Sequence, residues 1–292
     1  MHRTMRSLFA TVALLAGISL VAAACTPPAG PAPSNWKVRP VSITVVDQED
    51  TDAGDEPYVI QLGFRSKLGV AGSTQVSVAS QCRTGTLPAA DTGRVGVTVP
   101  VPVGGADIAF NNVTNLDVGD LALNYAPLEI LGTLTFVAER DAIFSSCAVT
   151  DLIDNALTPI LGDALELLIA SQPIPPTQEQ LIKLITDNIG SLLGTIGGLI
   201  AAVLEGLGNP DDIIGVAAQI HLPTAGTLTG LLNSAFSLAG LFDADLGKGI
   251  LPVDQLGTGL KIRVGSLTSS RVDIPLGIPG TEYVLRSSVV PG

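Results

Sequence analysis

Between Asp47 and Glu56 the chain sets six carboxylates in ten residues: Asp47, Glu49, Asp50, Asp52, Asp55 and Glu56. Carboxylate oxygens on a short loop are the ligands a hard cation prefers, and calcium accepts about six to eight oxygens in flexible geometry. These six are therefore the candidate metal ligands, with Ca2+ as the candidate cofactor. The same pattern also describes a solvated acidic turn, because like charges in a row repel unless water or a cation screens them. The EF-hand spacing fails. Counted from Asp50, Gly54 falls at position five where position six is needed, and Gln61 stands where the loop requires a bidentate Glu.

Other chemistry is thinly supplied. The two histidines are His2 and His221. A Ser-His-Asp or His-based metal site would have to use His221, expected in a loop after a helix in QIHLP. No Gly-x-Ser-x-Gly elbow, Walker loop or strand-borne Gly-x-Gly-x-x-Gly occurs. One Trp (Trp36) and three Tyr give few platforms for sugar rings. The residues point to a non-catalytic protein. The formal net charge of −12, with no basic patch, excludes nucleic acid as a partner.

The first 25 residues form a separate unit: Arg3 and Arg6, an uncharged apolar run from Ser7 to Ala24, then Cys25. Basic start, apolar middle and small residues before a cut are the parts of a secretory signal. Ala22-Ala23-Ala24-Cys25 resembles the lipobox of bacterial lipoproteins, with Ala22 where that family usually has Leu. The resemblance implies that Cys25 becomes the lipidated N-terminus; the alternative is a cleaved, free secreted product. Loss of Arg3 and Arg6 leaves 13 basic against 27 acidic residues, a mature charge of −14. Thr26 to Asn35, TPPAGPAPSN, cannot pack a core and reads as a tether. With Cys25 lipidated, Cys82 and Cys147 remain as a pair. An exported chain meets an oxidising compartment, so they are expected to form a disulfide; two buried thiols are the alternative.

VSITVVDQEDTDAGDEPYVIQL, residues 41–62, is similar to the first calcium-loop region of the synaptotagmin-type calcium/phospholipid-binding β-sandwich. There a strand leads into an acidic loop that ends in Ser-Asp-Pro-Tyr-Val and a second strand. Here the ending is Asp55-Glu56-Pro57-Tyr58-Val59, with Glu56 in place of Asp. The resemblance implies a β-sandwich and calcium-dependent surface binding. It also calls for a second acidic loop, for which Asp117 with Asp120, or Glu139 with Asp141, are the candidates.

The elements that must position these residues fall into two textures. From Trp36 to about Cys147, short β-branched runs (VSITVV, PYVIQLGF, TQVSVAS, RVGVTVPVPV, GTLTFVAE) alternate with Gly, Pro, Asp and Asn clusters. That spacing predicts an antiparallel sandwich or barrel. From Asp151 to Leu241 apolar residues recur at helical spacing, and helices are expected near 151–170, 177–207, 210–218 and 228–241. Thr177 caps the second, with Gln180 three residues on. Its stripe runs Leu181, Ile185, Ile189, Leu192, Ile196, Ile200, Val203 and Leu207. Asn209 and Pro210 read as the start of the third. Gly190, Gly194, Gly197 and Gly198 within the long helix permit close approach of another helix. The uncharged stretch Asn188 to Leu204 is at the short limit for a membrane span. GLKIRVGS and TEYVLRSSVV then read as closing strands of the first sheet.

The expected fold is α+β, an antiparallel β-sandwich or barrel with an inserted apolar α-helical subdomain. Its parts are a signal peptide (1–24), a Pro-rich tether (25–35), a β-domain (36–148), the helical insertion (149–247) and closing strands (248–292). The expected role is that of an exported, lipid-anchored cell-envelope protein with a non-catalytic binding or structural function. Its partners are the membrane through the anchor, and an envelope protein or an apolar ligand. A carrier holding a lipid or other apolar ligand in the helical region is the second reading, and an unusual hydrolase is the third.

Overall fold

The computed structural model describes residues 31–48, 54–123, 126–140, 147–175, 177–207, 213–238, 260–278 and 280–292. The leader, Cys25, Glu49, Asp50, Asp52, Asp141 and the expected cap at Asn209–Pro210 lie outside the described residues.

Two five-stranded sheets carry the fold. In the first, β1 (Ser34–Asp47) pairs antiparallel with β10 (Thr281–Pro291), and β10 with β9 (Ser270–Ile278). The other edge of β1 is shared by β4 (Thr98–Pro100) and β5 (Ile108–Val113). The second sheet has the order β3 (Gln75–Ser80), β2 (Tyr58–Lys67), β6 (Glu129–Ala138), β7 (Ile213–Leu222), β8 (Leu260–Ser266). Its pairs are antiparallel except β7–β8, which is parallel.

One face of the second sheet packs on the first sheet, and the other carries helices. Two short helices, α1 (Gln81–Thr84) and α2 (Val118–Leu123), sit in connections. Three longer ones form a layer: α3 (Ala148–Leu165, prolonged by a wider turn over Glu166–Ala170), α4 (Gln178–Leu207) and α5 (Gly226–Leu238). Ile153, Leu157, Leu161 and Leu165 of α3 and Ile185, Ile189, Leu192 and Ile196 of α4 recur three or four apart, so each set lies on one side of its helix. They meet Ile60, Leu62 and Phe64 of β2, Leu134 and Phe136 of β6, and Val216 and Ile220 of β7 in one apolar cluster. The second sheet is therefore the middle layer, and every residue of β6 and β7 is buried.

The sequence expectation of an α+β sandwich holds, with corrections in detail. Of the residues expected as a helix at 210–218, those from Ile213 onward belong to strand β7, an interior strand of the middle sheet. IIGVAAQIHL is apolar except for Gln219 and His221 because both its faces are covered, and such a run lacks the alternation that marks a half-exposed strand. The segment 149–247 is thus not helical throughout, and residues 32–292 form one compact unit. The strand expected over 94–103 shortens to Thr98–Pro100, while β5 and β9 were not anticipated. Of the two closing strands only β10 joins the first sheet; β8 joins the second. The cap at Thr177 is present, its hydroxyl accepting the Gln180 N–H at 3.3 Å. Gly190, Gly194 and Gly198 bring no helix closer, since a methyl group at any of them would meet nothing within 4 Å. No helix of the described residues is long and apolar enough to cross a membrane.

Cys82 of α1 and Cys147, the residue before α3, form the disulfide, with Cα atoms 5.6 Å apart. Arg83 reinforces the same junction, reaching Asp151 and Asp154 of α3 at 2.8 Å each. The covalent link joins the end of β3 to the helix layer.

Candidate functional site

The three described members of the acidic loop do not converge. Asp47 ends β1 on an exposed position, and its carboxylate accepts the Gln48 N–H at 3.1 Å. Asp55 is fully buried and accepts the Tyr283 hydroxyl at 2.5 Å. Glu56 accepts the backbone N–H of Asp91 at 2.6 Å. The loop is clasped to the segment around Gly93, with Asp55 and Gly93 exchanging backbone hydrogen bonds of 2.9 and 2.8 Å. Only Gly fits there, since a Cβ on Gly93 would stand 2.6 Å from the Asp55 carbonyl oxygen. Val95 N–H completes the clasp on the Gln48 side-chain oxygen at 2.9 Å. Two of the candidate calcium ligands are thus already engaged in holding the turn.

The second acidic pair behaves alike. Asp117 and Asp120 each accept the other's backbone N–H, at 2.9 and 3.0 Å, and so fix the start of α2. Among the described residues no group of three or more His, Cys, Asp or Glu side chains is placed to hold a metal ion.

His221 is not the loop residue expected. It lies on β7 opposite Leu131, with 6 % of its surface exposed. Val216, Ala218, Ile220 and Leu222 face the helices, so alternation turns His221 toward the first sheet. A side chain closed between two sheets is not presented to a substrate in solution.

An apolar concave feature lies on the helix side. A pocket of about 130 Å³ is bounded by Leu68 after β2, Leu128 before β6, Val118 and Leu121 of α2, Leu181 of α4 and Leu228 of α5. Ile174 and Pro175 close one wall, and Thr177 and Gln178 bring the polar atoms. Local interactions hold this wall in place. Leu68 N–H donates to the Leu128 carbonyl at 2.8 Å and Gly69 N–H to the Ile169 carbonyl at 3.2 Å. Gly69 has φ +73°, and a Cβ there would stand 2.7 Å from the Ile174 side chain. Glu166 ties the 68–74 turn to the helix layer by accepting the Gly72 N–H at 2.8 Å and the Thr74 hydroxyl at 3.1 Å.

Sequence reasoning placed an apolar site in the helical region without naming its residues. The signal that was present is the set of large apolar residues in connections, Leu68, Leu128 and Ile174, which no strand or helix face accounts for. No protein-family model, curated protein or solved structure matches the chain.

Proposed function

We propose that this chain is an exported, lipid-anchored binding protein of the cell envelope, without a catalytic role, whose helix-side pocket receives a small apolar group. The observation that carries the reading is the pocket itself: concave, bounded mainly by Leu, Val, Ile and Ala, with a few polar atoms from Thr177 and Gln178. That composition is the usual one for sites that bind apolar groups and orient them with few hydrogen bonds. The leader with Cys25, the Pro-rich tether and the Cys82–Cys147 disulfide support export and anchoring.

Size selects among ligands. A dry apolar cavity of roughly 150 Å³ takes a benzene ring. The pocket of about 130 Å³ matches that scale. It suits an aromatic or branched side chain of an envelope partner, or the tip of a larger apolar ligand, rather than a whole acyl chain. This favours a binding module over a lipid carrier.

Benzene serves as the probe. It is expected to raise the thermal midpoint of the purified protein, and Leu121→Trp and Leu228→Trp, which fill the pocket from two sides, are expected to abolish the rise. An unchanged midpoint in the parent protein would remove the pocket from the argument. Mass spectrometry of protein extracted from membranes tests the anchor. A diacyl-modified Cys25 supports it, and a mature chain without lipid makes the protein a secreted one.

A further inference from the structure

The space between the two sheets is apolar at its two ends and polar across its middle. Ile43, Val59, Val137, Tyr283 and Leu285 belong to one apolar cluster. Val38, Ile108, Phe110, Leu131 and Val289 belong to another. Between the clusters lie Gln61 of β2, Thr133 and Thr135 of β6, Gln219 of β7 and Ser287 of β10, none more than 2 % exposed.

Register places them together. Gln61 is opposite Thr135, and Thr133 is opposite Gln219. Thr133 and Thr135 are two residues apart and share a face with Leu131 and Val137, which point to the first sheet. Ser287 crosses from that sheet and donates its hydroxyl to Gln219 Oε1 at 2.8 Å. Both amide atoms of Gln61 and the hydroxyls of Thr133 and Thr135 have no hydrogen-bond partner among the described residues.

Buried amides and hydroxyls are strongly disfavoured unless bonded, and proteins meet such groups with internal water that makes about three hydrogen bonds. Gln61 offers two donor hydrogens and an acceptor; each Thr hydroxyl offers a donor and an acceptor. The backbone also loosens at this level. Strand β1 is bulged between Pro40 and Ser42, and Pro40 is the partner of Ser287. Beyond Thr135 in the middle sheet the next residue is the small Ala217. We propose that the two sheets enclose a specific internal hydration site, in which ordered water bridges Gln61 to Thr133 and Thr135.

The near-isosteric substitutions Thr133→Val and Thr135→Val decide the matter by sign. In a hydrated belt each removes water contacts and leaves the Gln61 amide less satisfied. The thermal midpoint of the whole protein then falls by about 2–4 °C, the shift that the loss of one net hydrogen bond produces in a chain of this size. In a dry belt each removes an unpaired hydroxyl, and the midpoint rises; that result overturns the proposal. Water-to-amide NMR cross-peaks supply a reading that does not depend on stability. Long-lived water seen at the amides flanking Gln61 and Thr133, and lost in Thr133→Val, supports the site. A crystal structure in which Gln61 instead bonds directly to the two threonines refutes it.

Discussion

The outer and middle sheets draw on similar residue types but stand in different surroundings. In β10 of the outer sheet burial alternates over Thr281–Arg286, apolar Tyr283 and Leu285 turning in and Glu282 and Arg286 turning out. In β6 and β7 of the middle sheet no residue is exposed. The apolar period of a strand therefore reports how many of its faces are covered, as much as it reports that it is a strand. The middle sheet also has two unlike neighbours: an apolar interface with the helices and a partly polar one with the outer sheet.

The largest contrast is expected from side-chain truncation. Phe136→Ala removes a fully buried ring from the helix-facing core and is expected to cost about 3–5 kcal/mol. Thr98→Ala on the exposed face of outer strand β4 is expected to stay within about 0.5 kcal/mol. Urea unfolding midpoints measure both, and comparable losses would break the distinction between the sheets. Next comes the link between the middle sheet and its helices. Cys82→Ser with Cys147→Ser reopens a loop spanning 65 residues and is expected to cost about 2–4 kcal/mol. Limited proteolysis sharpens this test: the first new cuts should fall in the helix layer and leave the outer sheet intact.

A smaller effect is expected where the outer sheet reaches the acidic loop. Tyr283→Phe takes the phenolic donor from the fully buried Asp55 carboxylate and should cost about 1–3 kcal/mol by chemical denaturation. A neutral substitution would detach that loop from the outer sheet's stability. The smallest effect belongs to the solvent face. Arg286 holds the Asp273 carboxyl below the usual carboxylate range, chiefly through their hydrogen bond. A depressed carboxylate stabilises the fold above its unfolded pKa, and the contribution is lost as pH falls through the lowered folded value. Half-exposed as the pair is, Asp273→Asn should shift the acid limb of a stability-versus-pH curve only slightly, and less in high salt. A shift as large as that of Tyr283→Phe would show that the outer face carries more than solvated pairs.

Legibility followed the same division. The helix stripe from Leu181 to Ile200 and the Thr177 cap could be read directly, because an amphipathic helix writes its single covered side into the chain. Strand β2 was placed within a residue at its start, after Pro57, but runs three residues past Phe64, where the expected run ended. The two cysteines were paired by elimination, and the pairing stands. Strand β7 was misread because a run covered on both faces has no period to distinguish it from a buried helix. Strand β9 was passed over because Asp273 and Pro275 look like loop residues, although an edge strand tolerates both. The acidic loop was legible as a cluster, while the inward turn of Asp55 to a tyrosine 228 positions away was not.

The sequence by itself determined local matters: the helical stripe, its Thr177 cap, the turn residues and the α+β class. Each depends on periods and residue preferences spanning a few positions. Tertiary structure alone decided which sheet lies in the middle, which carboxylate is buried, and that Leu68, Leu128 and Leu228 share one pocket while Gln61, Thr133 and Thr135 share one belt. Those facts depend on strand order and register, which join residues far apart in the chain. Burial on a second face is set by what another segment covers, and no local window contains that segment.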